Sequence, residues 1–138
     1  MMNALLPFNH LDQMLDGFLA TGACAPQNGG ACRLPAADIL EGEKDYLIRL
    51  DLPGVAQKDL NIELEDQILT VAAQRELPSP EGYSSRRKEL ASKIAFRRAF
   101  SLGDQVDFDK ISARLEDGVL TITLPKAEQV LPRRIEVR

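Results

Sequence analysis

A chain of 138 residues, 44% hydrophobic and 28% charged, has the size and balance of one globular domain with tails rather than of a disordered polymer. Its net charge of −4, with both signs interspersed, gives no electrostatic basis for a nucleic-acid or anionic-membrane partner. Five Phe, two Tyr and no Trp leave few aromatic faces for stacking on single strands or sugars, and no run of about 18 apolar residues is present to span a bilayer.

The N-terminal stretch "MMNALLPFNHLDQMLD" lacks a basic leader and carries Asp12 and Asp16, which argues against a secretory signal and for a cytoplasmic protein. Phe8, Leu11, Leu15 and Phe18 recur at three- and four-residue steps beside Met14 and Leu19. This spacing predicts a short amphipathic helix, with Asn9 as N-cap and Thr21-Gly22 as its stop. About a dozen helical residues are marginal alone in water, so the stripe must pack on something. "ACAPQNGGACRLP" follows without periodicity and reads as a linker. Cys24 and Cys32 read there as reduced thiols in a mobile arm, with a redox-responsive disulfide as the alternative. One His (His10) and two Cys cannot close a four-ligand zinc site without carboxylates, so no metal site is expected.

Strand patterns fill the next stretch. Tyr46, Ile48, Leu50 and Leu52 alternate up to the break at Pro53-Gly54. Leu60, Ile62 and Leu64 share one face of "DLNIELED", and Leu69, Val71 and Ala73 one face of "QILTVAAQRE". Ile111, Ala113 and Leu115, then Asp117-Gly118, then Leu120, Ile122 and Leu124 form a hairpin pattern, because Asp-Gly accepts the positive φ of a tight turn. No crossover helix fits between these runs. The fold expected is all-β, an immunoglobulin-like antiparallel β-sandwich of about 90 residues.

Within "AFRRAFSLG", Phe96, Phe100 and Leu102 share a parity with Arg98. A guanidinium on an apolar face is costly unless satisfied. Either it snorkels to water at an open edge or it makes a fixed ion pair near or across a subunit interface, and the second reading is favoured. Between strands, "ELPSPEGYSSRRKELASKI" is a long connection for a compact domain, of a length that is usually functional or carries its own element. It reads as a solvated basic loop or as one carrying an outlying strand from Tyr83 to Leu90. At the C-terminus, Pro132 leads to Ile135 and Val137 alternating with Glu136 and Arg138, a strand-like pattern with no later chain to pair with.

No triad, nucleophile elbow, P-loop or dinucleotide fingerprint is present. The expectation is therefore a binding protein rather than an enzyme, with no catalytic residues and no cofactor.

In this order and spacing, "DLPGV", Phe96-x-Arg98-x-Phe100-x-Leu102, "ARLEDGVLTITLPK" and Ile135-Glu136-Val137 resemble the small heat-shock protein (alpha-crystallin) family, bacterial and plant type, over about 100 residues. Gly103 stands where members commonly have proline. The resemblance implies an N-terminal arm at 1–37, the alpha-crystallin sandwich at 38–126 and a flexible C-terminal extension at 127–138. It implies an ATP-independent holdase that dimerises and assembles into larger homo-oligomers. Tyr83, Arg86 and Arg87 would lie in an exchanged loop strand, Asp38 and Ile39 in its receiving strand, with Arg98 at the dimer interface. Ile135 and Val137 would plug a neighbour's groove formed by Leu60, Ile62, Leu64, Ile111, Ala113 and Leu115. Leu5, Leu6, Phe8, Leu11, Met14, Leu15 and Phe18 are the expected surface for unfolded client proteins, the alternative being a stripe buried inside the oligomer that never meets them. The rival reading is a CS-domain-like co-chaperone or another β-sandwich binding module, which needs neither plug nor exchange loop.

Overall fold

The computed structural model describes residues 30–128 and 135–137. The expected N-terminal helix, its client-binding stripe and Cys24 lie outside the described residues. Eight strands follow in order: β1 (Ala31–Arg33), β2 (Ala37–Glu41), β3 (Asp45–Asp51), β4 (Leu60–Glu65), β5 (Ile68–Glu76), β6 (Lys93–Ser101), β7 (Ser112–Glu116) and β8 (Val119–Pro125). They form two four-stranded sheets, ordered β1-β6-β5-β4 and β2-β3-β8-β7. Every pairing is antiparallel except β1 with β6, which is parallel in the register Cys32 to Ala95.

Alternation builds the core. Tyr46, Ile48 and Leu50 of β3, Leu69, Val71 and Ala73 of β5, Ile94, Phe96 and Phe100 of β6, and Leu120, Ile122 and Leu124 of β8 are all buried between the sheets. Period-two side chains put these residues on inner faces and leave charge outside. The all-β sandwich expected from the sequence is the fold.

Two hairpins have two-residue turns with positive φ at both positions, as their twist requires. The expected one uses Asp117 (φ 52°) and Gly118 (φ 76°). The other, between β4 and β5, uses Asp66 (φ 52°) and Gln67 (φ 64°) without any glycine. Gln67 is held in this costly conformation from both ends. Its carbonyl accepts from the Leu102 amide at 2.8 Å, and its Nε2 donates to Asp104 Oδ1 at 2.8 Å.

"DLPGV" and the Asp-Gly turn meet in space, since the Leu52 amide donates to the Gly118 carbonyl at 2.7 Å. Gly54 (φ 75°) lets the chain pass under Arg75, whose Nη1 donates to the Pro53 carbonyl at 3.0 Å.

Cys32 corrects one reading. It is half-buried at the centre of β1 and disulfide-bonded, so it is not a reduced thiol in a mobile arm. Pairing of β1 with β6 fixes its backbone, which three residues without alternation could not announce. β1 itself falls inside the stretch that the sequence assigns to the arm.

Candidate functional site

β4 and β7 are the outermost strands of their sheets, and on that side of the sandwich the two edges flank a groove of about 430 Å³. Gln57, Leu60, Ile62, Ala113, Arg114, Leu115 and Leu120 line it. β4 brings Leu60 and Ile62 inward by alternation, while the short helical turn Gln57–Asp59 before it delivers Gln57. Leu60, Ile62, Ala113 and Leu115 are thus brought together as the sequence suggests. Leu64 and Ile111 are not part of the lining. Leu64 stands opposite Leu69 further along β4 and is 40% exposed, whereas Ile111 precedes β7 and packs half-buried on the core. Arg114, Gln57 and Leu120 are the additions. Leu120 pairs with Leu115 across the hairpin, so its contribution follows from register; Arg114 points outward by parity and reaches the rim, where its Nη2 meets Glu116 at 2.9 Å.

Ile135 and Val137 stand apart from this groove in their own chain, 85% and 95% exposed. A β-branched pair so fully in water leaves its apolar area unburied.

The opposite edge of the second sheet is β2, which among the described residues pairs with β3 alone. Ile39 turns inward, half-buried against Ile48, and Asp38 outward beside Arg49. Tyr83, Arg86 and Arg87 lie in the segment 77–92, which contains no strand within this chain. Every residue from 77 to 90 is exposed, Tyr83 to 78%. Arg87 pairs with Glu89 at 2.8 Å and Lys88 Nζ donates to Ser92 Oγ.

Arg98 is on the inward parity of β6, as the sequence implies, and is half-buried. Its Nη1 donates to the Pro35 carbonyl, and its guanidinium carbon is 5.6 Å from the Phe100 ring centroid. Burial lowers its pKa from the ordinary guanidinium value, the direction expected when water is withdrawn from a cation.

Among the described residues no group of three or more His, Cys, Asp or Glu could hold a metal ion, and no helix is long and apolar enough to cross a membrane.

Residues 38–138 match the Hsp20/alpha crystallin family. The small heat shock protein C2 of Rickettsia felis is 37% identical, over 99% of this chain and 90% of its own. Among solved structures, a small heat-shock protein from Xylella fastidiosa superposes with a TM-score of 0.60 at 31% identity, covering 77% of this chain and 97% of that one. HSP18.5 of E. histolytica shares the fold at a TM-score of 0.62 and 23% identity, over 76% and 99% of the two chains.

Proposed function

The chain belongs to the Hsp20/alpha crystallin family, whose members are stress chaperones, and from that premise we propose that it is an ATP-independent holdase working as a homo-oligomer. The observation carrying this reading is a mismatch within one chain: an apolar groove between two edge strands, and an apolar tail pair left 85% and 95% exposed. Each supplies what the other lacks, provided that they come from different subunits.

In this reading, Ile135 and Val137 enter the β4–β7 groove of a neighbour. Fully burying an Ile and a Val contributes roughly 1.5–3 kcal/mol each before ordering costs. Ordering the tail offsets part of that, so a single plug is weak while many per particle hold through avidity. The segment 77–92 supplies a strand with Tyr83, Arg86 and Arg87 to the open edge at Asp38 and Ile39 of a partner. Main-chain pairing at a sheet edge gives affinity and a long connection gives reach. Arg98 helps shape that edge through the Pro35 segment leading into β2. The stripe Leu5, Leu6, Phe8, Leu11, Met14, Leu15 and Phe18 captures partly unfolded clients, since apolar surface without a fixed shape suits a promiscuous binder.

The test is suppression of heat aggregation of a model client without ATP, with particle mass followed by light scattering. Protection by a particle larger than a dimer is expected, with loss of protection on deleting residues 1–20. A monomer that gives no protection overturns the reading and returns the chain to the co-chaperone alternative.

A further inference from the structure

Among the described residues, the most shielded ion pair joins Lys126 to Glu41. Lys126 Nζ is 3.0 Å from Glu41 Oε1, with the side chains only 12% and 24% exposed. The other pairs are more open, the next being 72% and 32% for Lys110 and Asp107. The ammonium also stands 5.1 Å from the Tyr46 ring centroid. Tyr46 is itself buried, with its hydroxyl donating to Gln105 Oε1 at 3.4 Å. Exposed ion pairs contribute little, but one shielded from water and laid on an aromatic face keeps its geometry. Backbone contacts hold the same point. The Lys126 amide donates to the Lys44 carbonyl and the Ala127 amide to the Gln105 carbonyl, each at 2.8 Å.

The two charged residues occupy different places in the fold. Glu41 ends β2, the open edge strand, and Lys126 follows β8 as the root of the C-terminal extension. From Glu128 to Ile135 there are seven residue steps, a reach of at most about 25 Å. A long tether samples many directions, so the orientation of its root matters little. A short one keeps its end within that distance of the root, so the root's position sets which neighbouring grooves the plug can reach and at what effective concentration.

We propose that the Lys126–Glu41 pair, seated on the Tyr46 ring, is a positioning device that fixes the tail root against the edge strand β2. It thereby aims Ile135 and Val137 at a neighbouring subunit. The proposal rests on the plug reading above and adds residues to it that touch neither plug nor groove.

Lys126→Met keeps the side chain's apolar stem over Tyr46 and removes the charge; Glu41→Gln keeps shape and removes the other charge. In the full chain, each is expected to lower mean particle mass and to speed subunit exchange severalfold, with the unfolding midpoint nearly unchanged. The charge exchange Lys126→Glu with Glu41→Lys is expected to recover part of both. Wild-type mass and exchange in both single variants, while Ile135→Ala with Val137→Ala dissociates the particle, would overturn the positioning role and leave the plug standing. Should the tail variant also keep its mass, the plug reading fails and takes this proposal with it. A loss of mass that only tracks a fall in unfolding midpoint, without recovery on charge exchange, marks a purely structural pair and overturns the proposal too.

Discussion

The guanidinium of Arg98 reaches from the middle of β6 to the carbonyl of Pro35, in the segment that crosses from β1 in one sheet to β2 in the other. A single side chain thus anchors the crossing that leads into the proposed dimer edge. Arg98→Met keeps bulk beside Phe100 and deletes the donors. It should cost about 1–3 kcal/mol, since the carbonyl loses its charged partner. For a domain of this size that corresponds to a melting point lower by roughly 4–8 °C per kcal/mol. Hydrogen exchange at β2 should rise in parallel. An unchanged melting point would show that Pro35 is not an anchor.

Gly54 and Gly118 are both at positive φ, yet their surroundings differ. A Cβ on Gly54 would come 2.7 Å from Arg75 Cδ, whereas at Gly118 the nearest atom is Pro53 Cα at 3.6 Å. Gly118→Ala should therefore cost only the backbone strain of about 1 kcal/mol. Gly54→Ala should cost more, and adding Arg75→Ala should recover only the difference. Urea denaturation of the four proteins checks this order, and equal losses in the two single variants would refute it.

Tyr46 predicts an alkaline limit. Burial chiefly, and then the nearby negative charge of Glu41, push its phenol above the ordinary value of 10. The unfolded phenol ionises near that ordinary value while the folded one keeps its proton. Above about pH 10 the native state therefore binds more protons, and stability falls as pH rises. The contribution is complete below the unfolded pKa and is lost as pH climbs through the folded one. Comparing urea unfolding from pH 8 to 11, Tyr46→Phe should show a shallower decline than the parent. Parallel curves would remove Tyr46 from the account.

The inner parities of β3, β5, β6 and β8 were legible in the sequence because burial on one face forces strict alternation, as Ile48, Val71 and Ile122 illustrate. Asp117-Gly118 was legible through its glycine. The turn at Asp66-Gln67 was not, because its positive φ is imposed by contacts from Leu102 and Asp104, far away in sequence. The groove was half legible. Parity puts Leu60 with Ile62 and Ala113 with Leu115 on shared faces, and the family resemblance sets the two strands across a groove, but neither says where along β4 the facing edge ends, which leaves Leu64 outside the lining and Gln57 within it. β1 is not legible because three residues carry no period.

Ile135→Ala with Val137→Ala removes the proposed plug's branched carbons from side chains that are already in water within their own chain. Light scattering should show the particle reduced towards dimers, with the sandwich's melting point unaltered. Unchanged mass would place the contact elsewhere.

Reducing the disulfide at Cys32 should release β1, because a three-residue strand on an edge is too short to hold by pairing alone. Hydrogen exchange at residues 31–33 and at the facing positions of β6, residues 94–96, should accelerate with a dithiol. Cys32→Ser should match the reduced protein. Unaltered exchange would mean that packing of Ala31, not the disulfide, retains the strand.

β2 and β7 are the two ends of one hydrogen-bonded sheet, with only β3 and β8 between them. At about 4.8 Å per strand they are roughly 14 Å apart. Under the proposed contacts, one end accepts a partner's loop and the other borders the slot for a tail, so neither occupancy blocks the other. Each subunit is then a node with directed valence, and its bonds are made along a single short, stiff ribbon. The angles between bonds are set by that ribbon's twist, and particle size becomes a question of where such a network closes on itself.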